Sequence, residues 1–137
     1  MFSRKKVEYR KEDPAQFFEP KTVSSCALAW VLPGAGHFYL GRRREAYLLF
    51  GILMACFVLG LAHGGDIFPI QGEGVIRSIG AFCQMGFGVV HLVARLMLDR
   101  GTPLSLTYDY GTTYFLIAGM INWLAVIDSF DIAMERK

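Results

Sequence analysis

The side chains in this sequence that come closest to a chemical site are its histidines, because an imidazole can ligate a metal ion or a haem iron. The chain has three of them, His37, His63 and His91. Two haem ligands must lie at matched depth on facing helices. His63 and His91 fail this test, since roughly 24 Å separates them along an antiparallel helix pair. His37 and His91 are therefore the candidate ligands of a haem hypothesis.

Each candidate ligand also has a structural interpretation. For His37 it is a hydrogen bond that fixes the turn around it, and for His91 it is a hydrogen bond between helices. The sequence contains no nucleophile motif, zinc signature, phosphate-binding loop or dinucleotide fingerprint. Its three cysteines form no C-x-x-C pair and are expected to be small buried residues. We therefore expect a protein that is not an enzyme and that holds neither a cofactor nor a metal.

Polar residues in the last apolar segment are the other candidates. Asn122 lies among apolar residues, where an amide typically links one membrane helix to another. A substrate contact is the alternative for Asn122. Asp128 and Asp131 follow near the end of the segment, and carboxylates inside a membrane can mark a proton path. A capping or interfacial role is favoured for both, because no basic partner at matching depth is evident in the sequence.

Four stretches of the sequence lack Asp, Glu, Lys and Arg: residues 22–41, 46–65, 78–94 and 110–127. The chain is 53% hydrophobic and 19% charged, whereas soluble domains carry about 25% charged residues. A helix needs about 20 mostly apolar residues to cross a bilayer. The sequence therefore predicts an all-α integral membrane bundle with three full spans and a short N-terminal helix that is re-entrant or kinked. Four full spans are the alternative.

A glycine-rich turn interrupts the first apolar segment. Thr22–Leu32 would form a helix of only about 16 Å, half the thickness of a bilayer. Proline and glycine then break the helix. The chain either returns to the same membrane face as a re-entrant hairpin or continues as a kinked span. The predicted turn motif consists of Pro33, Gly34, Gly36, His37, Tyr39 and Gly41.

Basic clusters predict the orientation, because Lys and Arg favour the cytoplasmic side. Residues 1–21 are predicted to form a basic cytoplasmic tail before a single transmembrane domain of residues 22–137. Arg42, Arg43 and Arg44 are predicted to anchor the chain at lipid headgroups. The re-entrant alternative keeps the tail, these arginines and the Arg95–Arg100 loop in the cytoplasm, with the C-terminal Arg136 and Lys137 outside. The four-span alternative puts the three arginines outside, so the charge bias favours the re-entrant one.

Small residues predict where the helices pack, because they let membrane helices approach closely. We expect the spans Ala46–His63 and Val75–Leu98 to pack against each other, and Thr112–Ile132 to form the last helix. The predicted helix-packing residues are Gly51, Gly80, Gly119 and Asn122.

Two pieces of the sequence resemble known families. P-G-A-G-H-F-Y-L-G-R at 33–42 resembles the turn motif of the two-transmembrane (TM-two) domain family and of small bacterial membrane proteins with a P-G-x-G-x-x-Y-x-G motif. A-G-M-I-N-W-L-A-V-I-D at 118–128 is similar to the tail of an uncharacterised bacterial family. Here two further apolar segments separate the turn from this aspartate, which departs from the TM-two pattern. The resemblance implies a bacterial inner-membrane protein with a helix-turn-helix element, and it implies no catalytic residue.

These observations predict a non-enzymatic multi-pass membrane protein that is an accessory, structural or assembly subunit of a larger membrane complex. The expected partners are the lipid bilayer and other membrane subunits. Nucleic acid is not expected, because Glu8, Glu12 and Asp13 are interleaved with the basic residues of the tail. One alternative is a small transporter or channel subunit in which His91, Asn122 and Asp128 line a polar path. The other is a haem-binding redox subunit.

Overall fold

The computed structural model describes residues 18–69, 74–98 and 101–134. Most of the predicted tail lies outside the described residues. Within them the chain is all-α, as predicted, and it contains no strand. The helices are α1 (Pro20–Val31), α2 (Ala35–Tyr39), α3 (Arg43–Ala62), α4 (Val75–Met85), α5 (Val89–Met97) and α6 (Tyr108–Ala133).

The two long helices, α3 and α6, form the antiparallel centre of the bundle. Gly60, near the end of α3, packs against the ring of Phe115 in the first half of α6. Gly65 meets the backbone of Gly111, close to the start of α6. Of the described helices, these two are long and apolar enough to cross a membrane, and the bent pair α4–α5 would be a third if it were one span.

Helix α1 runs antiparallel to α6 and reaches only to its middle. Its twelve residues extend about 18 Å. The chain then turns at Pro33 and Gly34, and α2 folds back onto α1, where Gly36 lies against the backbone of Ser25 and the methyl group of Ala29. The two helices are therefore a hairpin, and both of its ends lie beside the C-terminal end of α6.

The expected continuous helix over Val75–Leu98 is wrong, because the chain breaks at Gly86–Gly88 and bends by 117° between α4 and α5. Gly88 has a φ of 63°, which disfavours any residue with a side chain. A Cβ at this position would also collide with the carbonyl oxygen of Trp30. Gly88 therefore accounts for the turn, whereas Gly86 lies against Gly119 and Trp123 of α6.

The pair α4–α5 is a second hairpin, at the opposite end of the bundle from α1–α2. Helix α4 runs alongside α6 in the same direction, with Gly80 near Leu116 and Gly119 against the backbone of Cys83. After α5 the chain returns to the end of α3, where the Thr102 N–H donates to the Gly64 carbonyl at 3.1 Å. Arg95 therefore lies nearer the end of the bundle opposite the three arginines, so the expectation that it shares their side is wrong. Residues 99 and 100 of the Arg95–Arg100 loop lie outside the described residues.

Packing between the second and third apolar segments is narrower than expected, because α3 and α4 each pack mainly on α6. A Cβ at Gly51 would meet no described atom within 4 Å, so Gly51 packs against no described helix. Gly80 packs on the ring of Phe68, which precedes α4 in the chain. Helix α3 reaches the α4–α5 hairpin through Phe57, whose ring stacks on Phe87 with 5.5 Å between centroids.

Candidate functional site

The glycine-rich turn is built around contacts that exclude side chains. Gly34 has a φ of 81°, and a Cβ there would meet the Ala46 carbonyl. Gly41 has the same φ and ends the turn beside Arg42, whose N–H donates to the His37 carbonyl at 2.9 Å. The predicted motif residues thus close a tight connection from α1 through α2 to α3.

The side chain of His37 is buried in this turn and bonded through both ring nitrogens. Its Nε2 lies 2.9 Å from Oδ2 of Asp128, and its Nδ1 lies 3.2 Å from Oγ of Ser129. Because a carboxylate only accepts hydrogen bonds, Nε2–H is the donor to Asp128, and in that tautomer of a neutral ring Nδ1 accepts from the Ser129 hydroxyl. We call this group of three residues the turn clamp, since it fastens α2 to the end of α6.

The turn clamp contains the residue types of a hydrolase triad, but its geometry is structural. Ser129 is completely buried, and its neighbour Gly36 approaches its hydroxyl so closely that no Cβ would fit between them. A serine nucleophile needs an exposed oxygen beside a general base. Asp128 is the open member, with 34% of its side chain exposed, and it lines a shallow cavity with Leu49 and Asp131. The arrangement therefore joins two helices.

The pairing of Asp128 with a histidine is a contact that sequence reasoning missed. Sequence reasoning left Asp128 without a basic partner, yet His37 lies within hydrogen-bonding distance from 91 positions away. Spacing carries no signal for such a pair, because it depends on the reversal of α2. The useful signal was a histidine inside a glycine-rich turn together with a carboxylate near the end of an apolar helix.

Asn122 occupies the point where the two hairpins meet. Its side chain is fully buried, and its Nδ2 donates to the carbonyls of Ala29 at 3.0 Å and Gly86 at 2.7 Å. The Ala29 carbonyl needs this donor, since its usual helical partner would be the N–H of Pro33, which proline lacks. The interhelical role predicted for Asn122 thus has two specific acceptors, one on each hairpin.

Two tryptophans donate hydrogen bonds at the place where the two hairpins meet. The Trp30 Nε1–H donates to the Met85 carbonyl and the Trp123 Nε1–H to the Phe82 carbonyl, each at 3.1 Å. The last carbonyls of a helix have no partner within that helix, and an unpaired polar group in hydrocarbon costs several kcal/mol. We call the meeting ends of α1 and α4, with Asn122 and these tryptophans, the mid-bundle junction.

His91 lies on α5, three positions after Gly88, which precedes the first residue of that helix. It is buried, and its Nε2 has no hydrogen-bond partner among the described residues. His37 has both ring nitrogens engaged in the turn clamp, so a haem iron would have to displace Asp128 or Ser129 from it. The geometry therefore gives the haem hypothesis no support. Within the described ranges, no group of three His, Cys, Asp or Glu residues could hold a metal ion.

A third polar group, which sequence reasoning also missed, closes the opposite end of the bundle. Asp66 is buried and accepts a hydrogen bond from the Tyr108 hydroxyl at 3.0 Å, while its own N–H donates to Thr112 Oγ1 at 2.9 Å. Gln84 joins this segment to α4, since its Nε2 donates to the Asp66 carbonyl and its Oε1 accepts from the Phe68 N–H. These bonds hold the loop after α3 between α4 and α6.

The three arginines that follow the turn lie at the surface. Arg42 is 3.6 Å from Oε1 of Glu45, a surface ion pair of little energetic weight. The guanidinium of Arg43 lies over the ring of Phe38, 5.7 Å from its centroid. Arg44 is exposed. Their positions beside the turn clamp fit the predicted contact with headgroups, which stays a prediction.

Comparisons with known proteins identify a family. The model of a family of unknown function (DUF6677) matches residues 24–137, from the first half of α1 onward. No curated protein and no solved structure matches the chain. The resemblance to the TM-two family stays a prediction. Since the match covers both hairpins, the turn clamp and the mid-bundle junction, the chain belongs to the DUF6677 family of unknown function.

Proposed function

We propose that the chain is a non-enzymatic multi-pass membrane protein that serves as a structural or assembly subunit of a larger membrane complex. The observation that carries the proposal is that buried polar side chains form hydrogen bonds within the chain itself. His37, Gln84 and Asn122 are buried and bond to other segments of the same chain. Side chains committed in this way hold the fold together, so the surface of the bundle is what remains for function.

The charges support one orientation in a bacterial cytoplasmic membrane. Lys21 and the three arginines lie at the end of the bundle that holds the turn clamp, and five more basic residues precede α1 in the sequence. Arg77 and Arg95 are nearer the other end. Because basic residues favour the cytoplasmic side, we place the turn clamp there and Asn122 near mid-membrane. In this placement α3 and α6 span, and the two hairpins are re-entrant from opposite sides.

Helix α3 offers the surface for a partner subunit. Only 17% of an apolar 18-residue stretch of this helix is buried inside the bundle. Gly51 and Ala55 lie at the centre of its exposed face, given a rotation of 100° per residue. Small residues let a second membrane helix approach closely enough for backbone contact. We therefore expect a helix of another subunit to pack along this face.

Replacement of Gly51 by leucine tests the subunit role. Membranes are solubilised in a mild detergent, and the mass of the complex is read by blue-native electrophoresis. We expect the native chain to migrate well above a monomer of 15.3 kDa in its micelle, and Gly51→Leu to shift it toward the monomer. Ile52→Phe is the matched control, because it adds volume at the margin of the same exposed face. Migration of the native chain only as a monomer would reject the subunit role.

A small transporter or channel is the second candidate, and a specific observation favours it. The C-terminal ends of α1 and α4 meet at the mid-bundle junction, and buried Oδ1 of Asn122 has no partner among the described residues. Interrupted helices of transporters bring their carbonyl ends to a cation in this way. Flux of sodium or potassium ions into liposomes that contain only this protein would support the candidate. Absence of flux, or flux unchanged by Asn122→Leu and Asp128→Asn, would remove this site from any transport mechanism.

A further inference from the structure

A long apolar groove lies between the α1–α2 hairpin and the first half of α3. It has a volume of about 390 Å³, and no described side chain fills it. Its walls are almost entirely apolar, with Leu28 and Leu32 from α1 and its cap on one side and Tyr47 and Phe50 from α3 on the other. Ala35 and Ala46 form part of its floor. Such a groove can take a flexible hydrocarbon chain.

The groove follows the first hairpin, at the end of the bundle that the proposed orientation places in the cytoplasmic leaflet. It runs from the tip of the first hairpin, at Leu32 and Gly34, to the aromatic rings of Phe38 and Tyr39 at the other end of α2. Along α1 and its cap the wall runs from Leu28 to Leu32, about 6 Å at 1.5 Å per residue, which is less than the roughly 15 Å of hydrocarbon in one leaflet. The groove would therefore enclose part of an acyl chain and lead it past Phe38 toward the headgroups.

Positively charged side chains lie near the headgroup end of the groove. Arg43 stands over the ring of Phe38, which is itself a wall of the groove. Arg44 is the next residue, and both side chains are exposed. Arg42 forms an ion pair with Glu45. No carboxylate among the described residues forms an ion pair with Arg43 or Arg44. An anionic group at this end would be drawn to two uncompensated guanidinium groups, which bind phosphate well.

We propose that the groove is a binding site for an anionic phospholipid, with one acyl chain between α1 and α3 and the headgroup phosphate at Arg43 and Arg44. The apolar walls hold the acyl chain, and the arginines favour lipids with an anionic headgroup over zwitterionic ones. The site holds a single lipid in a defined place, which distinguishes it from the lipid that surrounds any membrane protein. It goes beyond the proposed subunit role and does not require it.

Native mass spectrometry of the full chain in detergent tests the site. Phosphatidylglycerol and phosphatidylcholine with identical acyl chains are added in separate titrations, and the retained lipid is counted per chain. We expect one phosphatidylglycerol to be retained at a concentration at least tenfold below that needed for phosphatidylcholine. Equal retention of the two lipids would overturn the proposal. Glycerol 3-phosphate, which lacks acyl chains, should not be retained, and its binding would point to a phosphate site instead.

Two kinds of variant separate the headgroup from the chain. Arg43→Gln with Arg44→Gln should abolish the preference for phosphatidylglycerol, whereas Arg77→Gln at the other end of the bundle should preserve it. Ala35→Phe fills the groove and should abolish retention, whereas Ala55→Phe on the exposed face of α3 should not. If Ala35→Phe fails to fold, Leu32→Phe narrows the groove at an exposed position and has the same expected effect. Unchanged retention in a folded groove-filling variant would overturn the proposal.

Discussion

The turn clamp and the mid-bundle junction both fasten a hairpin to α6, but they use different chemistry. The clamp joins side chains that can carry charge, and Asp128 within it is one-third exposed. The junction uses neutral N–H donors of Asn122, Trp30 and Trp123 against backbone carbonyls. An ionisable group is tolerated where water can reach it, whereas a site deep in a membrane requires neutral groups whose hydrogen bonds are made within the protein.

This difference predicts which site, when broken, lowers the free energy of unfolding more. In the clamp, the carboxylate of Asp128 is one-third exposed, so water can replace a hydrogen bond that it loses. A broken bond in the junction leaves backbone carbonyls that no solvent can satisfy. Loss of the junction should therefore destabilise the fold more than loss of the clamp.

Asn122→Leu should have the largest effect. The variant removes the amide that serves Ala29 and Gly86 and leaves two carbonyls unpaired in the bundle centre. At about 1–3 kcal/mol per unsatisfied buried group, we expect the two carbonyls to cost about 2–6 kcal/mol in the free energy of unfolding. The measurement is thermal or denaturant unfolding in detergent followed by circular dichroism. Thr113→Val is the control, because its hydroxyl bonds only to its own helix, at Asp109. An Asn122 variant as stable as this control would contradict the ranking.

His37→Leu should have an intermediate effect. It removes both bonds of the clamp, but Asp128 can still reach water, so we expect a loss of about 1–3 kcal/mol in the same unfolding measurement. Asp128→Asn sharpens the test, since its amide oxygen can still accept from Nε2–H and should cost less than His37→Leu. If Asp128→Asn were the more damaging change, the carboxylate would have a role beyond the clamp.

Ser129→Ala should have the smallest effect of the three. It removes the hydrogen bond between Ser129 Oγ and His37 Nδ1, and a single hydrogen bond contributes about 1 kcal/mol. The small volume lost at this crowded position adds little. A loss above that of His37→Leu would show that the hydroxyl has a further function.

Much of the fold could be predicted from the sequence, because hydropathy and helix-breaking residues are local signals. The apolar segments, the turn at Pro33–Gly34 and the all-α class follow from them directly. The break at Gly86–Gly88 could not be separated from a helix-packing stripe, since glycine serves both purposes and only the approach of Trp30 decides between them. The expected packing of Gly51 within the bundle was wrong for a related reason, because a small residue does not say on which side its neighbour lies, and no described atom lies within 4 Å of a Cβ at Gly51.

The polar sites were less predictable than the helices. Asn122 could be recognised as a link between helices, since an amide in an apolar helix has few other uses. Its acceptors could not be recognised, because they exist only once both hairpins have turned. The partnership of His37 with Asp128 and that of Asp66 with Tyr108 depend on the same turns. Long-range polar pairs follow from topology, and the sequence alone placed Arg95 at the wrong end of the bundle.

The central claim is that the two hairpins enter from opposite sides and that only α3 and α6 span. Labelling with a membrane-impermeant thiol reagent tests it most directly. Arg44→Cys and Leu106→Cys are made separately in a chain whose native cysteines are replaced, and intact cells are treated before and after permeabilisation. Both positions are exposed in the structure. We predict that Leu106→Cys is labelled from outside and Arg44→Cys only after permeabilisation. Labelling of both from the same side would mean that α4–α5 crosses the membrane, and it would contradict the account.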